Sequence, residues 1–529
     1  NNKVERNNLV GIFMYRSMEM VASIHGIMKC GAAYVPIDPE YPLERIKFMV
    51  RNANMSVIFT QTSLFNQIKK AIDNENIKII FVDDKNSEYL SMSEERSNIA
   101  VEPSDISYMI YTSDSTGNPK GVMNTNEALC NRILWMQKEY NIGPGDKVLQ
   151  KTPYCFDVSV WEFVWPLVTG STLVIAEPGG HRDATYLCKT IIEYGINIMH
   201  FVPSMLNIFL LDSQVPYCTS LKKVFSSGEA LNFSVVEKFY ELLPNTELHN
   251  LYGPTEAAID VTYWDCSVNY KKNIVPIGYP INNVYMYVLD DNQKPVPIGA
   301  FGELYIGGIG LAKGYYNNED LTKEKFLKNP FLKDADERIY RTGDIGRYDI
   351  SGVIEYNKRK DFQVKLRGQR IELGEIEAAL EQHPHINKAV ALVYKDFNGL
   401  QDLMAFIVLD GISDINIKEL KEYLGKHLPQ YMIPSFFNKI EEIPLSLNGK
   451  VDRKKLESLI VIERTGEKES IKPRTKTEEV IFEICDQLLG VGTISMNDNL
   501  IELGASSLII ASLVYKLRDR FNIELDFKY

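Results

Sequence analysis

Residues 106–121 read ISYMIYTSDSTGNPKG, an apolar β-rich run that leads directly into a polar loop. The loop combines hydroxyl side chains, a flexible glycine and a cation, which suit it to wrap phosphate groups together with backbone N–H donors. It is not a Walker loop, because GxxxxGK requires a glycine at each end and the lysine directly after the second. The alternative for this segment alone is a surface Ser/Thr/Gly/Pro loop. The candidate phosphate-binding residues are Thr112, Ser113, Ser115, Thr116, Gly117 and Lys120.

Similar β-rich runs recur along the first 350 residues. Amphipathic stretches with helical periodicity separate them, for example around 128–140. Apolar strands that alternate with helices predict parallel sheets with both faces covered. The further predicted strands are SVIFT (56–60), IKIIFVDD (77–84), STLVIAE (171–177), INIMHFVP (196–203) and LKKVFSSG (221–228).

Two changes of pattern predict further domains. From Val284 onward, turn residues recur every few positions, which predicts an antiparallel barrel or sheet. After Asp361, a hairpin, a helix, strands at 388–395 and 402–409, and a helix near 417–426 indicate a compact α+β unit. The expected divisions are a large N-terminal core over 1–360, a small subdomain over 361–460, a polar linker over 461–472 and a helical domain over 473–529.

Composition limits the classes of function. The 529 residues include 58 Lys and Arg against 70 Asp and Glu, a net charge of −12 that disfavours a nucleic-acid partner. The longest apolar window, 163–176, contains a proline and a glycine and is shorter than the roughly 20 residues that span a bilayer. Seven scattered cysteines without a CxxC pair predict reduced thiols, neither a zinc site nor a disulfide frame. We expect a cytoplasmic protein without a membrane partner.

Further motifs follow the loop in order. Together with it they resemble the adenylate-forming superfamily, and most closely the adenylation domains of nonribosomal peptide synthetases, over residues 1 to about 460. The resemblance implies an α/β fold of two subdomains plus a β-barrel, then a small α+β subdomain. It also implies an enzyme that condenses an amino acid with ATP to an aminoacyl-adenylate. The motifs are IMKCGAAYVPIDPEYP (27–42), FDVSVWE (156–162), NLYGPTE (250–256), GELYIGGIGLAKGYYN (302–317), YRTGDIGRY (340–348), RKDFQVKLRGQRIELGEIE (359–377) and NGKVDRKKL (448–456).

The resemblance also implies a nucleotide site. Tyr252 would stack on adenine, Asn250 would hydrogen-bond its edge, and Asp344 would accept the ribose hydroxyls. Glu256 would hold Mg²⁺, a hard cation that prefers carboxylate oxygen. Each residue alone would more often be an ordinary surface or turn residue, and only the ordered set reverses that expectation. The ATP-binding residues outside the loop are Asn250, Tyr252, Thr255, Asp344 and Arg359.

Two positions in the small subdomain region are assigned by the same resemblance. Lys450 would bridge the substrate carboxylate and the α-phosphate and stabilise charge that develops in the transition state. It follows Asn448-Gly449, so a solvated turn lysine is the alternative. Asp361 matches the hinge about which the small subdomain moves between adenylation and thioester formation.

The family's amino-acid pocket maps onto ten residues whose string resembles the pattern associated with serine activation. In amino-acid-activating members, the aspartate that corresponds to Asp157 pairs with the substrate α-ammonium. A helix N-cap is the alternative role for Asp157. Polar groups at His200, Ser227 and Asp260 inside a pocket narrowed by two aromatic rings favour a hydroxyl-bearing substrate, because an analogue without the hydroxyl leaves them unpaired. The ten residues are Asp157, Val158, Trp161, His200, Phe225, Ser227, Leu251, Ile259, Asp260 and Lys450.

The C-terminal motif DNLIELGASSLIIASL (498–513) resembles the attachment site of a peptidyl carrier, a helical bundle. Ser507 would carry 4′-phosphopantetheine, and a helix N-cap is both the alternative and compatible with it. Compared with the family, we expect the chain to lack an early N-terminal segment and the last carrier helix. The implied partners are neighbouring modules such as condensation domains and a phosphopantetheinyl transferase, with an MbtH-like protein left open.

Two rival hypotheses come from other classes of function. Asp114 replaces a glycine of the phosphate loop and would repel triphosphate by roughly 1 kcal/mol or more, which motivates a non-catalytic adenylation scaffold. An acyl-CoA or aryl ligase of the same superfamily is the other rival. Asp157 and the Ser507 motif argue against it, because such ligases bind no substrate ammonium and use free CoA.

Overall fold

A computed structural model describes residues 4–72, 76–85, 99–114, 117–266, 274–332, 337–395, 401–411, 415–445, 451–460, 471–489, 494–500, 507–521, 523 and 525. Two compact units result: residues 1–112 with 119–361, and residues 113–118 with 362–529. In the part of the chain that is described, no helix is both long and apolar enough to cross a bilayer.

The first unit contains helices α1–α9 and strands β1–β19. The helices are α1 (Met18–Lys29), α2 (Leu43–Asn52), α3 (Phe65–Ala71), α4 (Asn126–Tyr140), α5 (Val158–Thr169), α6 (Ala184–Tyr194), α7 (Pro203–Phe209), α8 (Phe233–Leu242) and α9 (Glu319–Lys325). The strands are β1 (Leu9–Phe13), β2 (Ala33–Pro36), β3 (Val57–Thr60), β4 (Lys78–Phe81), β5 (Ile106–Thr112), β6 (Lys120–Thr125), β7 (Lys147–Gln150), β8 (Thr172–Ile175), β9 (Ile198–Phe201), β10 (Lys223–Ser226), β11 (Glu247–Tyr252), β12 (Thr262–Asp265), β13 (Tyr279–Pro280), β14 (Val284–Leu289), β15 (Gly302–Gly308), β16 (Gly314–Tyr315), β17 (Phe326–Lys328), β18 (Arg338–Tyr348) and β19 (Ile354–Arg359).

The first sheet has the strand order β16-β6-β5-β2-β1-β3-β4. Every residue of β1, β2 and β5 is buried, as expected for the continuous apolar strands of a parallel sheet. β5 pairs with β2 in parallel, whereas β6 and β16 extend the sheet in antiparallel orientation. The sequence predicted the parallel part only. The β5–β6 connection is too short for the dozen or more residues of a parallel crossover, so β6 must return antiparallel.

The second sheet has the strand order β13-β12-β11-β10-β9-β7-β8. β9, β10 and β11 run parallel, with His200 opposite Phe225 and Phe225 opposite His249. Their carboxyl ends meet at one edge, where open α/β sheets place their ligand sites. The six strands predicted from the sequence are confirmed as β3, β4, β5, β8, β9 and β10, and the helix predicted around 128–140 is confirmed as α4.

The region from Val284 onward is a five-stranded antiparallel sheet, with order β14-β15-β18-β17 and β19 paired to β18. The antiparallel prediction is confirmed. The expected barrel is replaced, among the described residues, by an open sheet. The 11-residue strand β18 explains this arrangement, because its two halves pair with β17 and β19 in turn while its other edge pairs with β15.

The second unit contains the predicted hairpin, helices and strands after Asp361. β20 and β21 form the hairpin, β22 and β23 pair in antiparallel orientation, and β24 joins β23 in parallel. Helices α10 and α11 contribute Ile376, Leu380, Leu420 and Leu424 to one apolar core with this sheet. The elements are β20 (Gln363–Leu366), β21 (Gln369–Glu372), α10 (Leu373–Glu381), β22 (Ile386–Lys395), β23 (Gln401–Leu409), α11 (Ile417–Leu424), β24 (Phe436–Lys439), α12 (Arg453–Ser458), α13 (Lys476–Leu489) and α14 (Ser507–Phe521).

The last two helices pack on each other around a small apolar cluster. Ile484 and Leu488 of α13 and Ile509 and Leu513 of α14 are among its buried members. Both helices were predicted from their amphipathic patterns, and both are confirmed. Two helices are less than a helical bundle, so the bundle stays a prediction. Most of the predicted linker, 461–470, lies outside the described residues.

Candidate active site

Tyr252, Asp344 and Arg359 form a buried hydrogen-bonded chain. Tyr252 ends β11, and its hydroxyl donates to Oδ2 of Asp344 at 2.5 Å. The pairing of β18 with β19 places Asp344 opposite Arg359, whose Nη1 donates to the other carboxylate oxygen at 3.0 Å. Burial and the Asp344 carboxylate raise the pKa of Tyr252 well above its usual value, so the phenol stays a donor. Three of the predicted nucleotide residues therefore lie together.

Arg359 also holds Asp361, the predicted hinge. Its Nε and Nη2 donate to the two carboxylate oxygens of Asp361 at 2.8 and 2.6 Å, the bidentate geometry that gives strong ion pairs. Gly343 makes this approach possible: a Cβ there would lie 2.8 Å from the Asp361 carboxylate and 2.9 Å from the guanidinium. Its φ of +76° is a second reason for glycine at this position of the RTGD motif.

Two further predicted nucleotide residues, Asn250 and Thr255, lie on either side of Tyr252 in the sequence. Asn250 Nδ2 donates to the carbonyl of Pro276 at 2.7 Å, while its Oδ1 is buried without a hydrogen-bond partner among the described residues. A buried acceptor of this kind suits an exocyclic amino group such as that of adenine. Thr255 begins a single 3₁₀ turn, and its carbonyl accepts a hydrogen bond from Asn124 at 3.0 Å.

Two of the predicted phosphate-loop residues, Thr112 and Lys120, lie in the first unit on the paired strands β5 and β6. Thr112 ends β5 opposite Lys120, the first residue of β6, and the Thr112 hydroxyl is buried with no partner in the described part of the chain. Residues 113–118 belong to the second compact unit, in which Ser113 donates to the Arg370 carbonyl at 2.7 Å. Gly117 adopts φ +88°. The predicted members Ser115 and Thr116 lie outside the described residues.

Glu256, the predicted magnesium ligand, is fully buried. Its Oε1 accepts a 2.8 Å hydrogen bond from the hydroxyl of Tyr315, and Lys120 Nζ lies 5.0 Å from the centre of the same tyrosine ring. No group of three or more His, Cys, Asp or Glu side chains that could hold a metal occurs among the residues described. One anchored carboxylate fits Mg²⁺ nonetheless, because this ion is usually held by one or two carboxylates plus substrate phosphates.

Trp161, His200 and Phe225 form the aromatic wall of the predicted pocket. The ring of Trp161, from α5, lies 5.5 Å from that of Phe225 and 6.5 Å from that of His200. All three side chains are buried. Leu251 and Ile259 are buried in the same apolar core as Trp161, whereas Val158 is partly buried at the start of α5. The sequence-derived pocket residues from β9, β10 and α5 therefore meet at the carboxyl edge of the second sheet.

The polar pocket residues are paired among themselves or with a residue outside the predicted set. His200 Nε2 lies 3.0 Å from the Ser227 hydroxyl. Burial, with the charges of Lys151 and Arg132, lowers the pKa of His200 well below 6.5, so the imidazole is neutral. Asp260 accepts a 2.9 Å hydrogen bond from Arg132 in an ion pair that is almost fully buried. The sequence therefore identified polar groups without identifying their partners.

The two residues before Asp260 have an unusual backbone conformation. Ala258 and Ile259 adopt φ values of +51° and +83°, which are rare for residues with a Cβ and often mark functional sites. Gly253 lies against Ile259 and Asp260, and a Cβ there would be 2.3 Å from the carbonyl oxygen of Ile259 and 2.5 Å from the Cα of Asp260. The glycine of NLYGPTE is therefore required by the close approach of the two backbones.

Asp157 directly precedes α5 and is partly buried. Within the described residues, its side chain makes no capping hydrogen bond to the helix, so the N-cap alternative is not adopted. Burial raises the pKa of Tyr34 and of Tyr108, and the nearby negative charge of Asp157 raises both further. The carboxylate of Asp157 therefore lies within electrostatic reach of both phenols.

Two family models match separate parts of the chain. Residues 1–316 match the model of the AMP-binding enzymes, and residues 375–450 match that of the AMP-binding enzyme C-terminal domain. The chain belongs to the AMP-binding enzyme family. Its similar relatives include nonribosomal peptide synthetases. It is 43% identical over 522 residues to tyrocidine synthase 3 of Brevibacillus parabrevis, covering 99% of this chain and 8% of that protein.

The chain covers a larger share of two other relatives. The chain is 42% identical over 460 residues to zwittermicin A synthase ZmaJ of Bacillus cereus, covering 85% of each. It is 41% identical over 522 residues to phosphinothricin tripeptide synthetase PhsB of Streptomyces viridochromogenes, covering 98% of this chain and 43% of that one. Except for ZmaJ, the chain thus spans less than half of these relatives.

Two similar solved structures extend over nearly the whole chain. Holo-AB3403, a four-domain nonribosomal peptide synthetase bound to AMP and glycine, has 32% identity, a TM-score of 0.61 and coverage of 99% of this chain and 38% of that one. Holo-PA1221, which contains adenylation and PCP domains, has a TM-score of 0.79 over 98% of this chain and 84% of that one. At 23% identity it shows the shared fold only.

Besides Ser115 and Thr116, two predicted functional residues of this AMP-binding enzyme remain without a structural test. Lys450 lies outside the described residues. Ser507 is the first residue of α14, and its side chain is likewise outside the description. The position at a helix start is compatible with both the N-cap and the attachment-site hypotheses.

Sequence reasoning missed three buried residues at this site. Tyr315 lies in the quoted GYYN segment, so the motif carried a usable signal. Lys151 follows β7 and contacts the Phe201 ring at 4.6 Å, and burial lowers its pKa to about 8 against the opposing charge of Glu162. Arg132 lies in an otherwise amphipathic helix, where an arginine predicts a solvent-exposed residue.

Proposed function

We propose that this chain is the adenylation region of a nonribosomal peptide synthetase that activates L-serine with ATP and passes it to a carrier. The observation that carries the proposal is the end of β11. Successive side chains of a strand point to opposite faces, so Asn250 and Tyr252 lie on one face and Leu251 on the other. The predicted nucleotide residues and a predicted pocket residue therefore alternate along one strand.

In the proposed reaction, a carboxylate oxygen of serine attacks the α-phosphorus of ATP. A new P–O bond forms, the bond to the bridging oxygen breaks, and pyrophosphate leaves. Asp157 would bind the α-ammonium of serine and Asp344 would bind the ribose hydroxyls. Arg359 would lie near the same ribose and the phosphate, and Lys450 would stabilise the charge that develops in the transition state. Glu256 would hold Mg²⁺, which neutralises phosphate charge when bound.

The pocket supports a small hydroxyl-bearing side chain. The rings of Trp161 and Phe225 lie 5.5 Å apart beside His200, and the His200–Ser227 pair is neutral. A neutral imidazole and a hydroxyl can each exchange a donor or an acceptor with a substrate hydroxyl. Alanine would leave these groups without that partner, whereas larger side chains would contact the aromatic wall.

Carrier loading is the second step of the proposal. The cluster of α13 and α14 and the position of Ser507 at the start of α14 support a carrier segment whose serine bears 4′-phosphopantetheine. The thiol of that group would attack the seryl-adenylate, form a thioester and release AMP. A phosphopantetheinyl transferase and neighbouring condensation domains would be the partners, in a cytoplasmic natural-product pathway.

ATP–pyrophosphate exchange over the twenty amino acids tests the proposal. L-serine should give the highest rate, with threonine and alanine well behind. A lead by phenylalanine, leucine or an acidic amino acid would refute the pocket assignment. Absence of exchange with every amino acid, in a folded chain that binds ATP, would favour the non-catalytic scaffold motivated by Asp114.

A further inference from the structure

Arg132 is a buried arginine in the middle of α4 that the reaction outlined above does not use. It is 1% exposed, and its Nη2 donates to Oδ2 of Asp260 at 2.9 Å. The guanidinium also lies 4.9 Å from the ring of Trp135. Its Nε and Nη1 are buried and have no hydrogen-bond partner among the described residues. Arg132 is therefore a charged group whose one strong partner is a pocket residue.

Burying these two charges requires a reason. Arginine keeps its charge in proteins, and a carboxylate out of water is strongly unfavourable unless a cation pairs with it. Asp260 is 1% exposed, so its carboxylate would be strongly destabilised there without a positive counter-charge. Within the protein, Arg132 supplies that charge from an element 128 residues away in sequence.

Two buried phenols near the pair also have hydroxyls without a hydrogen-bond partner among the described residues. The hydroxyls of Tyr108 and Tyr140 are both buried and have no hydrogen bond within the described chain. Both lie within electrostatic reach of Arg132 and of Asp260, since these charges act on the pKa of each phenol in addition to burial. Including Nε and Nη1 of Arg132, four buried polar atoms near the ion pair thus have no hydrogen-bond partner within the described residues, and buried polar atoms of this kind are usually satisfied by water or by a ligand.

We propose that Arg132 is a positioning residue that sets side-chain selectivity through Asp260. By pairing with Asp260, it makes this wall electrically neutral and admits a neutral hydroxyl side chain in place of an ammonium. Of the two acidic pocket residues, Asp157 then serves the α-ammonium, and the side-chain end of the pocket offers no net negative charge. The inference rests on the proposed amino-acid activation and assigns the source of its selectivity to a residue outside the ten pocket positions.

The test compares serine with 2,3-diaminopropionate, in which an ammonium replaces the hydroxyl. In ATP–pyrophosphate exchange, Arg132→Met should raise the ratio of kcat/KM for diaminopropionate over that for serine by roughly tenfold or more, since close charge pairs couple at least that strongly. Arg132→Lys, which keeps the charge, should change the ratio much less. The double variant Arg132→Met/Asp260→Asn removes both charges and should return the preference to serine.

Arg347→Met is the matched control. It breaks another arginine–carboxylate pair, Arg347 with Glu355 at 2.7 Å, in the antiparallel sheet. Its serine-to-diaminopropionate ratio should equal that of the parent chain even if the protein is less stable. An Arg132→Met ratio equal to that of Arg347→Met would overturn the inference.

Loss of folding in the single variant does not remove the test. If Arg132→Met is insoluble, Asp260→Asn alone is compared with the double variant. Our inference requires the double variant to use serine better than Asp260→Asn, which retains a buried unpaired guanidinium; the reverse order overturns it. The two proposals fail separately. If wild-type exchange shows no preference for serine, serine activation is rejected. The gain of diaminopropionate use in Arg132→Met is judged separately, by comparing kcat/KM for diaminopropionate with kcat/KM for the other amino acids in the same variant.

Discussion

Asp344→Asn is the sharpest test of the nucleotide site. The carboxylate accepts hydrogen bonds from Tyr252 at one oxygen and from Arg359 at the other, and asparagine keeps one acceptor oxygen and no charge. If the ribose hydroxyls are bound by this carboxylate, one charge-assisted hydrogen bond is lost. Such a bond contributes about 1.5–3 kcal/mol, so kcat/KM for ATP should fall roughly 10- to 150-fold.

The assay is pyrophosphate exchange at saturating serine with ATP varied. The loss of fold stability should be small beside the loss of activity, because Arg359 remains paired with Asp361 through two hydrogen bonds. Circular dichroism melting of the variant checks that its fold is intact. The change should appear mainly in the KM for ATP, with the KM for serine nearly unchanged.

Glu303→Gln provides the control for a change of the same chemistry. Glu303 is a buried carboxylate of the antiparallel sheet that pairs with Arg341 at 2.8 Å and Lys360 at 3.0 Å. Its neutralisation should lower the melting temperature without a specific effect on ATP. Equal losses of kcat/KM for ATP in the two variants, or no loss in Asp344→Asn, would refute the assignment of Asp344 to the ribose.

Three other predictions concern Lys450, Ser507 and two histidines. Lys450→Ala should cut serine-dependent exchange by the roughly 10²–10³ typical of losing one oxyanion-type contact, whereas thioester transfer from preformed seryl-adenylate should suffer less; equal loss in both half-reactions would contradict two poses. Ser507→Ala should abolish addition of phosphopantetheine, seen by intact-mass spectrometry, and leave exchange intact, while Ser506→Ala should leave the modification possible; a modified Ser507→Ala protein would exclude this site. Burial lowers the pKa of both His200 and His181 well below 6.5, so each stays neutral in the folded chain but protonates in the unfolded chain. The free energy of unfolding should therefore decrease as pH falls below about 6.5, with each histidine contributing up to about 1.4 kcal/mol per pH unit. Urea unfolding at pH 7.5 and 5.5 measures this, and His200→Gln should reduce the dependence; an unchanged slope would show that His200 does not contribute.

The local elements follow from short-range rules. Strands such as β5 and β9 were predictable because uninterrupted apolar runs suit buried parallel strands, and α4 was predictable from its helical periodicity. The antiparallel return of β6 follows from the short β5–β6 connection, and the antiparallel region after Val284 was predicted from its turn residues. What the sequence did not predict is that β18 pairs with three different strands, since those partners are chosen by pairings between distant segments.

For the site, the sequence by itself determined which residue types stand at which motif positions. Tyr252, Asp344 and Arg359 could be nominated because each stands in an ordered motif. Tertiary structure alone decided how they are paired. Asp260 became half of a neutral ion pair because folding brought α4 against β11 and the residues after it, and a partner 128 residues away leaves no local pattern. A buried charge is defined by its surroundings, and those surroundings exist only once the chain is folded.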